Sequence, residues 1–410
     1  MTYKTRLTTA IATGAVLLNA LAPMAFANTI TVTGNGASSL NSVNLSSNTT
    51  TVVNQTNNLN VNNDVDAKAT TGGNSANYNT GGNVTVNTGA ANTSVNVSTA
   101  ANVNKANVDC CNKGGATNVT VDGNGAKSLN AVDLNKDKTI VLSQDNNAYV
   151  TNDVNAKADT GKNDASFNTD GNVTINTGKA TTNVSVDTKA NANVAKIGGG
   201  QGASNGDTVT ITENGVGSAN FVGLGLSSAI VLAQDNAAKI NNDVDAKANS
   251  GKNDATFNTG GEVTINTGAA KTNVDVNNLV NFNAADVDCG CLLDGVDVKI
   301  GKNGVGSDNE VAADLSNGLW VAEGNAAALN NDVDGNAKTG KNDASFNTGD
   351  PSGDPSVVTG AADSQTDVSN AGNVNLYNQG ATLHLPGDWN FDFQWDLHGL
   401  LGFLGGTWSV

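Results

Sequence analysis

The sequence predicts an all-β protein: a β-solenoid of four repeats of about 90 residues, each built from strand-turn-strand rungs of about 20 residues, with an aromatic C-terminal cap or docking strand. Three observations carry this. The tetrad Asn-Asp-Val-Asp/Asn recurs at Asn63–Asp66, Asn152–Asn155, Asn242–Asp245 and Asn331–Asp334. Within each copy three landmarks follow one another about 20 residues apart: Asn-Gly at Asn35, Asn124, Asn214 and Asn303; Gln55, Gln144, Gln234 and Glu323; and G-x-N-x-A-x-(F/Y)-N opening at Gly72, Gly161, Gly251 and Gly340. Short runs such as Val84-Thr85-Val86 and Val173-Thr174-Ile175 alternate apolar with polar residues, the period of a half-buried strand.

The N-terminus carries Lys4 and Arg6, an apolar stretch from Ala10 to Leu21 and Ala25-Phe26-Ala27. This is the layout of a secretory signal peptide over residues 1–27, whose apolar part is too short and too interrupted for a membrane span. The mature chain is then expected to begin near Asn28, without a transmembrane segment, as a secreted or cell-surface protein. Repeat 1 covers 28–117, repeat 2 118–207, repeat 3 208–296 and repeat 4 297–375. In each, one rung is read from paired strands such as Val84–Val86 and Val95–Val97, joined by an Asn-Thr-Gly turn. Stacked rungs at ~4.8 Å would form a thin core of Ala, Val and Ile, with Asn side chains bonded in ladders. Glycine-rich stretches at Lys113–Gly115 and Gly198–Gly202 read as loops between repeats. Repeat 4 is degenerate: Asp350-Pro351-Ser352-Gly353-Asp354-Pro355 replaces a smooth turn, and stacking is expected to falter there because proline removes a ladder donor.

Residues 376–410 differ in kind. Trp389, Phe391, Phe393, Trp395 and Leu397 alternate with polar residues and would share one face of a strand. Such a strand either closes the end of the solenoid or docks on the sheet edge of a partner.

The motif G-x-N-x-A-x-(F/Y)-N, carried by Gly72, Asn74 and Ala76; Gly161, Asn163 and Ala165; Gly251, Asn253 and Ala255; and Gly340, Asn342 and Ala344, resembles the curlin-type repeat. The resemblance covers one rung per copy. It implies an extracellular β-solenoid whose rungs stack into a fibre subunit; bacterial surface adhesins of solenoid type offer a similar match.

Composition narrows the function. The net charge is -17, and Arg6 is the one arginine, so the exported chain has no basic stripe to meet nucleic-acid phosphates. Cys110 and Cys111, and Cys289 and Cys291, lack the spacing and the nearby His of a zinc site. They suit disulfides, within each pair or between molecules, in an oxidising compartment. His384 and His398 stand beside no activated nucleophile, and acidic residues such as Asp64, Asp153, Asp243 and Asp332 recur with the repeat, whereas a catalytic site is singular. No catalytic residues and no required cofactor are therefore expected. A solenoid enzyme cleaving polysaccharide by a carboxylate pair is the weakest reading. Asp64 with Asp66, or Asp243 with Asp245, could offer Ca²⁺ oxygen ligands on one strand face, although the nonapeptide calcium signature is absent and a solvated acidic surface explains them equally. The function expected is a structural or adhesive surface component that self-assembles or meets other surface proteins and glycans. The alternative is a repeated face that binds a glycan or Ca²⁺.

Overall fold

The computed structural model describes residues 4–20, 29–108, 116–198, 206–287, 295–349 and 355–378. Every regular element among them is a strand. β1 spans Lys4–Ala20. Then come β2 (Thr29–Thr33), β3 (Leu40–Thr70), β4 (Val84–Asn87) and β5 (Ala91–Val108). The same quartet recurs as β6 (Asn118–Asp122), β7 (Leu129–Asp159), β8 (Val173–Asn176) and β9 (Ala180–Ile197), and again as β10 (Asp207–Thr212), β11 (Ala219–Asn249), β12 (Val263–Asn266) and β13 (Ala270–Val287). The last is β14 (Val296–Gly301), β15 (Asp308–Lys338), β16 (Ser356–Val358) and β17 (Ala362–Asn378).

All pairing is parallel, and each strand lies beside its own equivalent in the next quartet. The sheets run β2-β6-β10-β14, β3-β7-β11-β15, β4-β8-β12-β16 and β1-β5-β9-β13-β17. Each quartet is thus one coil, and the chain makes four. Stacked asparagines are 89, 90 or, on the last step of the return layer, 92 residues apart.

This corrects the expected rung. The stacking unit is the whole repeat of about 90 residues, and the 20-residue landmarks lie in sequence along a single coil. The long strand β3 holds odd-numbered residues other than Ser47 inward from Asn41 to Ala69 with no turn, and Gln55 and Asn63 both lie on it. No Gly or Pro interrupts Leu40–Thr70, so nothing folds the strand back after 20 residues. At about 3.3 Å per residue, its 31 residues extend for roughly 100 Å. Likewise Val84–Val86 and Val95–Val97 do not oppose each other: β5 packs on the long strand β3, whereas β4 packs on the alanines of the G-x-N-x-A motif, Ala76, Ala165 and Ala255.

Between the two layers runs a thin core. Val65 and Ala67 meet Val95 and Val97, with the equivalents of coils 2 and 3 stacked on them. Leu142 and Ile140 meet Ala195 and Ile197. β2 and its equivalents turn through the Asn-Gly corner and cover the start of the long strand, where Val119 and Val121 pack on Val132 and Leu134. Small and β-branched residues suit so narrow a space.

The return strand needs a correction of phase that the outgoing one does not. In β5 odd residues face inward up to Thr99, and Asn104, Ala106 and Val108 do so beyond it. Asn102 makes the switch in a left-handed conformation (φ 60°), as do Asn191, Asn281 and Asn373 in their coils. Asparagine tolerates that region better than most residues, and here its Nδ2 also donates to the facing backbone, Asn102 to Asn147 O at 2.8 Å.

Stacking resumes beyond the proline-rich insertion. Residues 350–354 are outside the described residues, but β16 and β17 resume pairing with β12 and β13. Beyond it the offset between stacked residues is 92.

Candidate functional site: side-chain columns and open edges

Because each coil lies in register on the next, every inward landmark becomes a column. Asn63 Nδ2 donates to Asn152 Oδ1 at 2.7 Å, Asn152 to Asn242 at 2.6 Å and Asn242 to Asn331 at 2.6 Å. Asn152 is fully buried, and a buried amide of this kind is tolerable only with its partners in place. Asn57, Asn146, Asn236 and Asn325 form a second column, linked at 3.0–3.1 Å.

The G-x-N-x-A-x-(F/Y)-N motif is built the same way. Asn163 Nδ2 gives one hydrogen to Thr160 O at 2.9 Å, holding its own turn, and the other to Asn253 Oδ1 at 2.8 Å in the next coil. Its glycine has no room for a side chain: a Cβ on Gly161 would sit 1.9 Å from Gly251 O. The motif is therefore first a stacking device. Its aromatic position was read from sequence only as part of the pattern. Tyr78, Phe167, Phe257 and Phe346 stack with centroids 5.1, 5.1 and 4.9 Å apart and planes within 6°. All four have a left-handed backbone, φ 59°, 58°, 54° and 53°, and all are exposed, the end rings Tyr78 and Phe346 by 74% and 73%. A bulky residue in that region costs about 1–2 kcal/mol.

The main asparagine columns share one polarity: each level donates to the next. In coil 1 the Oδ1 atoms of Asn35, Asn63, Asn74 and Asn79 receive no donor from any described residue, although their counterparts in coils 2 to 4 do. In coil 4 Asn342 keeps its turn bond to Thr339 O at 2.9 Å, and its second hydrogen has no described acceptor. Acceptors thus face out of the coil 1 end, and Asn342 presents a donor at the coil 4 end, whereas Asn347 there gives both hydrogens within the chain, to Ala255 O and Ala344 O.

The glutamine column runs the opposite way. Gln144 Nε2 donates to Gln55 Oε1 and Gln234 Nε2 to Gln144 Oε1, both at 2.7 Å. In coil 4 the register places Glu323 on Gln234. Gln234 Oε1 and Glu323 Oε1 are both buried and both without a hydrogen-bond partner. Burial pushes the Glu323 carboxyl above the usual carboxylate range.

Acidic residues form columns on the outer face. Asp64 and Asp66 are exposed on β3 beside Lys68, and Lys247 pairs with Asp245 in coil 3. At the end of the long strand Asp159 is buried, and burial alone would raise its pKa. The hydrogen bond from Asn249 at 3.0 Å and the Lys162 ammonium at 3.0 Å prevail and hold it below the usual range. Among the described residues no group of three or more His, Cys, Asp or Glu is arranged to hold a metal, and no helix is long and apolar enough to cross a membrane.

Several expected features lie outside the described residues: Cys110, Cys111, Cys289 and Cys291; His384 and His398; the aromatic segment Trp389, Phe391, Phe393, Trp395 and Leu397; and most of both glycine-rich loops. The strands that precede the cysteines, ending at Val108 and Val287, stand two levels apart, about 10 Å at the strand spacing. Residues 4–20, which fall within the segment read as a signal peptide, form β1, which lies parallel on β5 from Lys4 opposite Asn92 to Ala20 opposite Val108. Comparison with known protein families, with curated proteins and with solved structures finds no match.

Proposed function

We propose that this is a non-enzymatic structural protein, exported after removal of residues 1–27, whose copies stack coil on coil into a fibre or matrix at the cell surface. The observation that carries the proposal is the polarity of the asparagine columns. Asn342 in coil 4 presents a donor where Asn74 in coil 1 presents an acceptor, along strands roughly 100 Å long with open backbone edges. A head-to-tail contact of this kind does not close on itself and generates filaments. Removing the leader would also uncover the β5 edge that β1 occupies. The exposed rings Tyr78 and Phe346 lie at the two ends of their column, so the ring stack would continue across the junction. The curlin-type motif points the same way. A periodic set of side chains with no singular acid-base pair supports a structural role over catalysis.

A second reading is favoured by the outer face. The exposed ring column and the Asp64 and Asp66 columns would suit a repeated surface for a glycan or Ca²⁺.

Negative-stain microscopy with fibre diffraction on residues 28–410, against a version ending before Leu385, tests the proposal. Filaments with a reflection near ~4.8 Å are expected. Altered filaments on truncation would assign docking to the Trp389–Leu397 segment. Discrete particles in both samples would remove the fibre reading and favour the binding module.

A further inference from the structure

We infer that Glu323 is a proton-dependent joint in the buried glutamine column: the coil-4 edge is complete, and ready to receive a second copy of the chain, only while this carboxyl carries its proton. The inference rests on the filament reading for the second copy, and on the geometry of this chain alone for the joint.

Three levels of the column hold Gln55, Gln144 and Gln234, each amide passing a hydrogen to the level before it. That pattern needs at the fourth level a group that donates to Gln234 Oε1. A glutamine would do so. Glu323 stands there instead, and as a carboxylate it sets an acceptor against an acceptor, which matches the two partnerless buried oxygens, Gln234 Oε1 and Glu323 Oε1. As the neutral acid, its O–H donates to Gln234 Oε1, and its carbonyl oxygen is left to accept from the amide of the following level. In a stack of copies that level is coil 1, whose equivalent residue is Gln55. The proton comes from solvent and no covalent bond changes. Protonated Glu323 is thus a glutamine equivalent, and ionised Glu323 a break.

Among the described residues no cation is paired with the ionised form. β11 brings Asp235, which lies beside Gly324, and Lys239, which faces outward over the Tyr149 ring at 5.4 Å. β13 brings Asp286 and β17 brings Tyr377, which packs with Val321 on the core around Leu232. Asp235 and Asp286 lie on the outer sides of their strands, and burial is the cause that raises the Glu323 pKa.

The sign follows. A carboxyl whose folded pKa lies above its unfolded value of about 4.3 contributes stability that is fully present below that value and lost as pH rises through the folded pKa. Thermal unfolding and seeded filament growth of residues 28–410, the chain of the filament proposal, wild type against Glu323→Gln, measured from about pH 4 to about pH 8, test this. Glutamine occupies this position in the other three coils, so the variant is expected to fold. The wild type should lose Tm relative to Glu323→Gln as pH rises, and its growth rate should fall on the order of tenfold while the variant's does not. A Glu323→Ala chain should be less stable at every pH without the pH-dependent gap. A wild-type-to-Glu323→Gln difference that stays constant across the range overturns the joint. If the Tm gap opens with pH but neither chain forms filaments, the joint stands, and the docking of a second copy is refuted together with the filament reading.

Discussion

A buried asparagine amide is a liability unless all its hydrogen bonds are made, and in this chain the partner is always the same residue one coil away. Asn152 accepts from Asn63 and donates to Asn242, so Asn152→Ala strands a donor below and an acceptor above. We expect it to lower stability by about 1–3 kcal/mol, read by chemical denaturation, whereas loss of the exposed Asn62 should be near neutral. The ring column makes a sharper contrast. Phe257 stacks on Phe167 and Phe346 from a left-handed backbone at φ 54°. Phe257→Ala keeps the strain and loses both stacking contacts, worth about 0.5–1.5 kcal/mol each. Phe257→Gly loses the same contacts but is released from strain of about 1–2 kcal/mol. The glycine variant should therefore be the more stable of the two by about 1 kcal/mol in the same measurement.

Along a strand, the governing quantity is phase. β7 alternates from Leu129 to Asp159 without a slip and pairs residue for residue with β3 and β11. Deleting Asn147, on its outer side, would turn every later inward residue outward, including Val150, Asn152 and Val154. Such a chain should lose the cooperative transition and amide-exchange protection over coils 1 to 3. The return strand tolerates one reversal because Asn102 and its equivalents provide the left-handed residue and its hydrogen bond together. This reversal was legible in principle, since apolar residues change parity between Val97 and Ala106, but it resembles noise unless four copies are aligned. The landmarks were read correctly as recurrent and wrongly as stacked. Spacing in sequence does not say whether the chain turns between two landmarks, and the absence of Gly and Pro from Leu40–Thr70 was the signal that it does not.

Four coils at ~4.8 Å make a stack only about 20 Å thick, on strands roughly 100 Å long. Most of such an object's backbone edge lies on its two end faces, the geometry that soluble β-proteins normally blunt or cover. Each coil contacts only its neighbours, so adding a further coil from another copy repeats an interface the chain already makes three times. Filaments in the diffraction experiment above should accordingly have their long axis along the stacking direction, with the 31-residue strands lying across it.

By itself the sequence determined the secondary-structure class, the repeat of about 90 residues and the recurrence of the Asn35, Gln55, Asn63 and Gly72 landmarks, because alternation and recurrence are local properties that a reader can count. It also held the one departure in the glutamine column, Glu323, in plain view. What only the tertiary structure decided was which recurrence closes into a coil, which way the amide columns point, and that Gln234 and Glu323 meet as two acceptors. Those depend on where the chain turns and on contacts between residues about 90 positions apart, and neither is written in the neighbourhood of any one residue.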